Sequence, residues 1–100
     1  MNILIEFRGG AELMFDHMKL HNITLPLPDE EQPPWTMKLL LDWIKLNMIR
    51  ENADLFIQAG TIKPGILVLI NDEDWELCGQ LDYEIQDNDQ IVFISTLHGG

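Results

Sequence analysis

The sequence predicts a single α+β domain, and three observations carry that prediction. Asn2 to Arg8 places Ile3, Ile5 and Phe7 on one face and Glu6 and Arg8 on the other, the two-residue period of a half-buried strand. From Thr36 to about Arg50, the residues Met37, Leu40, Leu41, Ile44 and Met48 recur at spacings of three and four, the apolar stripe of an amphipathic helix. Ile66 to Ile70 and Gln90 to Thr96 are apolar runs of strand length. One hundred residues suffice for one modest core, and no repeat, low-complexity tract or linker divides the chain.

Taken in order, the first strand runs into Gly9-Gly10, whose freedom at positive φ suits a tight hairpin turn. Ala11 to Phe15 is then expected as a second strand, with Leu13 and Phe15 facing the core. Asp16 to Trp35 is the least regular stretch: Ile23-Thr24-Leu25 reads as a short extended piece, while Pro26, Pro28, Pro33 and Pro34 exclude a continuous helix or a central strand. Asp29-Glu30-Glu31 makes that stretch an exposed acidic loop. Thr36 is a suitable N-cap for the helix, and Lys45 and Arg50 suit the negative end of its dipole. Leu39, Trp43 and Leu46 widen the apolar arc, so one flank of the helix is expected to be partly covered by loops.

Ala53 to Gly60 holds a turn, with Leu55, Phe56 and Ile57 expected at the edge of the core, and Lys63-Pro64-Gly65 makes another turn. Ile66 to Ile70 reads as a buried strand, Asn71 to Asp74 as a turn, and Trp75-Glu76-Leu77 as a short returning strand. Tyr83 to Asn88 is polar and turn-like. Gln90 to Thr96 carries apolar residues on both faces, which places it centrally in a sheet.

The charge balance narrows the function. Asp and Glu number 17 against 6 Lys and Arg, a formal net charge of -11. No basic patch is present to neutralise phosphates, so direct nucleic-acid binding is not expected, and an anionic membrane surface would repel the chain. Such a balance serves solubility or steering towards a basic partner. Met1-Asn2-Ile3-Leu4 lacks the features of a signal peptide, and no apolar run approaches the ~20 residues that span a bilayer. One cysteine, Cys78, forms no internal disulfide, so a cytoplasmic location is expected, with the nucleus also open to the protein.

The stretch that draws attention is Leu97-His98-Gly99-Gly100. Two glycines pack nothing, but they let a partner close around the backbone and reach the carboxylate of Gly100. Residues 1–96 are expected to form the domain and 97–100 a flexible tail, the alternative being a frayed end. Other candidates are weaker. His17 and His21 lack two further zinc ligands, and Asp72, Glu73 and Asp74 lack the spacing of a calcium loop. Cys78 has no basic residue close in sequence, and His98 has nothing to orient it as a base. Trp35 and Trp43 are expected to pack in the core or against loops, and Trp75 is left open between core and partner surface. Lys19, Lys38, Lys45 and Lys63 are the side-chain amines that could accept a modifier.

Several stretches together resemble one family. Leu81-Asp82-Tyr83-Glu84-Ile85-Gln86, followed by a strand and Gly99-Gly100, resembles the end of ubiquitin. Gly9-Gly10-Ala11-Glu12-Leu13, the run from Pro64 to Asp72, Asp74-Trp75-Glu76-Leu77, and Phe93 to Gly100 are similar to the ubiquitin-related modifiers, the eukaryotic sulfur carriers. The resemblance spans essentially the whole chain and is weakest from Asp16 to Trp35. It implies a β-grasp (ubiquitin-like) fold: a mixed sheet of four to five strands, its first and last strands parallel neighbours, with one main helix packed across it. It also implies a carrier rather than an enzyme. An adenylyltransferase/sulfurtransferase related to the ubiquitin activators would use ATP and a sulfur donor to turn the Gly100 carboxylate into an acyl adenylate and then a thiocarboxylate. The sulfur would serve 2-thiolation of the wobble uridine of cytosolic tRNAs, through a tRNA thiolation complex.

The same terminus would be joined to lysines of target proteins such as peroxiredoxins, notably under oxidative stress. Leu97, His98 and Gly99 would be gripped by the activator, His98 standing where ubiquitin has arginine. The chain itself would bind no cofactor or metal and would act as a monomer. The alternatives are a ubiquitin-like interaction module that is never conjugated, and a small enzyme using Cys78 or a histidine.

Overall fold

In the computed structural model, which describes residues 1–96, one five-stranded mixed sheet organises the chain. We number the strands in chain order: β1 Asn2–Arg8, β2 Leu20–Thr24, β3 Ile57–Gln58, β4 Thr61–Ile62, β5 Ile66–Ile70, β6 Glu73–Asp74 and β7 Gln90–Ser95. The spatial order is β2-β1-β7-β5-β6, with β3 and β4 forming a separate small ribbon. β1 and β7 are parallel neighbours in the middle, with Leu4 opposite Gln90 and Arg8 opposite Ile94. This is the β-grasp arrangement, and the expected central place of the last strand holds.

Side chains sort by strand period. Ile3, Ile5 and Phe7 of β1, Ile66, Val68 and Ile70 of β5, and Ile91 and Phe93 of β7 are all buried on the inner face. Helix α1, Met37–Asn47, lies across that face and buries Met37, Leu40, Leu41 and Ile44. Thr36 caps it as expected, its side chain accepting from Leu39 N. The Met37 N–H, which no helical carbonyl can reach, donates to the Tyr83 carbonyl at 2.9 Å. Phe7, Phe15, Phe56 and Phe93 meet at the centre; Phe7 stacks on Phe15 at 3.7 Å and Phe56 meets Phe93 edge-on at 5.1 Å. No helix among the described residues is long and apolar enough to cross a membrane.

Two expected strands take another form. Ala11–Met14 is a 3₁₀ turn, and Leu13 stands 63% exposed. Gly10 enters it at φ 103°, and its N–H donates to the Glu12 carboxylate, a local bond that closes the turn before any hairpin can form. The antiparallel partner of β1 is instead β2, which begins at Leu20, nine residues beyond Ala11. Likewise Trp75–Leu77 is a 3₁₀ turn, because the Asp74 carboxylate accepts from Glu76 N and curls the chain; Glu73 and Asp74 form the short strand. Trp75 is buried in the core and Leu77 is exposed, whereas Leu55, expected inside, is 50% exposed.

Candidate functional site

The site is the place where β7 leaves the sheet. Ser95 pairs with Ile66 of β5, and just beyond it Thr96 donates twice to the Gly65 carbonyl, from N at 2.9 Å and from Oγ1 at 2.5 Å. The Lys63-Pro64-Gly65 turn therefore fixes the last described residue. On the other side Gly9, at φ 68°, lies so close that a Cβ there would sit 2.3 Å from the Ser95 carbonyl oxygen. Glycine is required twice over: the left-handed backbone suits it, and no side chain fits. The two turns thus bracket the strand end with backbone alone.

Around this exit the surface is apolar. Leu13, Met14, Leu55, Lys63 and Ile66 line a hollow of about 260 Å³ that reaches Ser95. The outer face of the sheet continues it. Leu67 opposes Ile94, and Leu69 opposes Val92, while Leu4 stands further along β1. Leu67 is 51% exposed. Glu6 and Arg8 pair with each other beside this patch, and Asp74 faces Leu69 across the edge pair. Apolar centre and charged border are the anatomy of a docking face.

Leu97, His98, Gly99 and Gly100, the residues expected to carry the chemistry, lie outside the described residues. The other candidates are now placed. The Cys78 thiol is half-buried and directed at the Asp74 carbonyl and the Glu73 carboxylate. Desolvation first, then the Glu73 and Asp74 charges, push its pKa up, which is the wrong direction for a nucleophile. His21 hydrogen-bonds the Met18 carbonyl through Nε2 and sets its ring edge-on to Phe7 at 5.3 Å, a packing role. No cluster of three or more His, Cys, Asp or Glu suited to a metal exists among the described residues. Lys19, Lys38 and Lys45 are exposed, and Lys63 is partly covered in the hollow at the strand exit. Neither the exposure of Leu13 and Leu55 nor their meeting at the exit was visible in the sequence, because both depend on 3₁₀ turns that the apolar alternation hides.

Residues 2–100 match the family model for Urm1, the ubiquitin related modifier. The chain belongs to the ubiquitin-related modifier family. It is 56% identical over 100 residues to the human ubiquitin-related modifier, covering all of this chain and 96% of that one. The solution structure of the Trypanosoma brucei member superposes with a TM-score of 0.81 at 39% identity, covering 99% of this chain and 95% of that one. The crystal structure of a small archaeal modifier from Haloferax volcanii shares the fold alone, at a TM-score of 0.68 and 14% identity over the whole of both chains. The fold is that of a small ubiquitin-like modifier, and in it the end of β7 is held at the Gly65 carbonyl and bordered by partly exposed apolar side chains.

Proposed function

We propose that this ubiquitin-related modifier is a sulfur carrier whose working group is the carboxylate of Gly100. The carboxylate attacks the α-phosphorus of ATP on an activating enzyme and expels pyrophosphate. A persulfide sulfur of the enzyme then displaces AMP from the acyl carbon to give an acyl disulfide, and an enzyme thiolate attacks the enzyme-side sulfur of that bond, forming an enzyme disulfide and releasing the thiocarboxylate. Acyl transfer needs this activation because a free carboxylate would have to expel oxide. The nucleophiles and bases belong to the enzyme. The sulfur goes to 2-thiolation of the wobble uridine of cytosolic tRNAs, and the same activated end is transferred to lysines of target proteins, peroxiredoxins among them, under oxidative stress.

The observation that carries this reading is that the family match runs on from the clamped end of β7 through Gly99-Gly100. The activator is proposed to dock on the outer sheet face around Leu67, Leu69 and Ile94 while it takes residues 97–100 into its cleft.

The test is the intact mass of the protein after incubation with the activating enzyme, ATP and a sulfur donor. The expected result is replacement of one oxygen by one sulfur, absent when Gly99-Gly100 is deleted and slowed in Leu67→Lys without loss of fold. No mass change with an activator competent on another carrier would leave a binding module that is not activated.

A further inference from the structure

A second apolar surface lies on the helix side of the molecule, away from the outer sheet face and independent of the reading above. The proline-rich stretch from Pro26 to Pro34 folds back beside α1 and leaves a groove of about 380 Å³. Pro26, Pro28 and Pro33 form its loop wall, and Leu39, Trp43 and Leu46 form its helix wall. Trp35 joins the two, its indole N–H donating to the Pro26 carbonyl at 2.8 Å. That bond holds the ring in place and leaves its apolar surface to line the groove. The Trp43 indole N–H has no acceptor among the described residues, and no buried side-chain polar atom there lacks a partner, so it is open to solvent. Leu46, 81% exposed, closes the far end.

The charge around the groove has one sign. Asp29, Glu30 and Glu31 are exposed on the turn that joins Pro28 to Gln32, both of them lining residues. Asp29 fixes that turn by accepting from Glu31 N at 2.9 Å. Asp42 lines the groove from the helix. At about 100° of rotation per residue, Lys38 and Lys45 lie beyond Asp42 on α1, roughly a third of a turn from the Leu39–Trp43–Leu46 row, and neither lines the groove.

We propose that this groove binds an extended, proline-containing basic segment of a partner protein. A wall of aromatic rings and prolines with a free indole N–H suits a polyproline-type backbone, whose carbonyls point outward and whose ordering cost is small. The acidic turn supplies the complement for arginine or lysine at the segment's end. A second copy of this chain fits badly, since its own proline stretch carries Asp29, Glu30 and Glu31 and its net charge is -11.

The experiment titrates the isotope-labelled full chain with heptapeptides Arg-Pro-X-Pro-X-Pro-Arg, X being Leu, Val, Ala or Tyr, and follows the three tryptophan indole signals by NMR. Parallel sets replace arginine by glutamate, or proline by glycine. The expected result is saturable movement of the Trp35 and Trp43 signals, with Trp75, buried in the core, unmoved. Affinity should be weak, with Kd on the order of 100 µM, and should fall with added salt. Glu30→Lys with Glu31→Lys should weaken the basic set about tenfold and favour the glutamate set. Leu46→Lys should weaken all sets, and these exposed substitutions should leave the melting temperature unchanged. No saturable shift, equal response to all three sets, movement of Trp75 equal to that of Trp35 and Trp43, or shifts that grow with protein concentration without peptide would each overturn the proposal.

Discussion

At the Gln90 end of β7 a network of side chains adds to the backbone hydrogen bonds, whereas at the Ser95 end Thr96 bonds a single backbone carbonyl and glycine keeps the space open. At the first end Asn71 Oδ1 accepts from Gln90 N at 2.9 Å, and Asn71 Nδ2 donates to Asp89 Oδ1 at the same distance. The other Asp89 oxygen accepts from the Tyr83 hydroxyl at 2.6 Å and from Gln86 N at 2.8 Å. Asp89 is 5% exposed, so its charge is solvated by these donors in place of water. At the other end, Gly9 and the Gly65 carbonyl do the holding. The Asn71, Tyr83 and Asp89 side chains fix the loop at one end; at the other, the lack of a side chain at Gly9 lets its turn lie against the Ser95 carbonyl.

The difference can be broken at either end. The largest effect is expected from Asp89→Ala, which strands the Tyr83 hydroxyl, the Gln86 N–H and the Asn71 amide. Loss of about 4 kcal/mol is expected, read from urea melts at pH 7. A loss under about 1 kcal/mol would mean that water takes the carboxylate's place. Gly9→Ala comes next, at about 3 kcal/mol, combining a left-handed φ with a Cβ placed against Ser95. The two losses should add in the double variant to within about 0.5 kcal/mol, because the substitutions act at opposite ends of the strand and share no partner. Marked coupling would show that strain runs along β7.

Tyr83 sharpens the first end by pH. Burial, followed by the hydrogen bond to Asp89 and its negative charge, raises the phenol well above its ordinary range. The folded pKa lies above the unfolded one, so the contribution is complete below about pH 10 and is lost as pH rises above it. Melts at pH 9 and 11 should show this fall, and Tyr83→Phe should flatten it. Because Tyr83 is the one tyrosine in the sequence, its ultraviolet titration reports the same group directly. The smallest effect is expected for Thr96→Val, about 1 kcal/mol or less, since the Thr96 N–H keeps its bond to Gly65. A larger loss would make the hydroxyl, rather than the backbone, the main clasp of the strand exit.

The same contrast explains what could be read from the sequence. β1, α1, β5 and β7 were legible because their apolar periods are imposed by burial of one or both faces. The central place of β7 was legible because Val92 as well as Ile91 and Phe93 is buried. β2 was largely hidden, since its inward positions, His21 and Ile23, alternate with Leu20, Asn22 and Thr24, and the outward Leu20 spoils the pattern. Ala11 to Phe15 misled in the opposite way: Leu13 and Phe15 alternate, yet the Gly10–Glu12 bond decides the local backbone. Asp74 does the same to Trp75–Leu77. Of the candidate site, the last four residues were conspicuous by type, while the hollow beside Ser95 needed Leu13 and Leu55, 42 positions apart, to meet.

The parallel pairing of β1 with β7 also decides when the domain can exist. Leu4 pairs with Gln90, 86 positions along, so the centre of the sheet joins two distant stretches of chain. Until β7 has left the ribosome, Ile5 and Phe7 lack neighbours on one side, and such long-range closure is slow. A chain halted or cut before β7 has lost the middle of its sheet. The strand that completes the fold is also the one leading to residues 97–100.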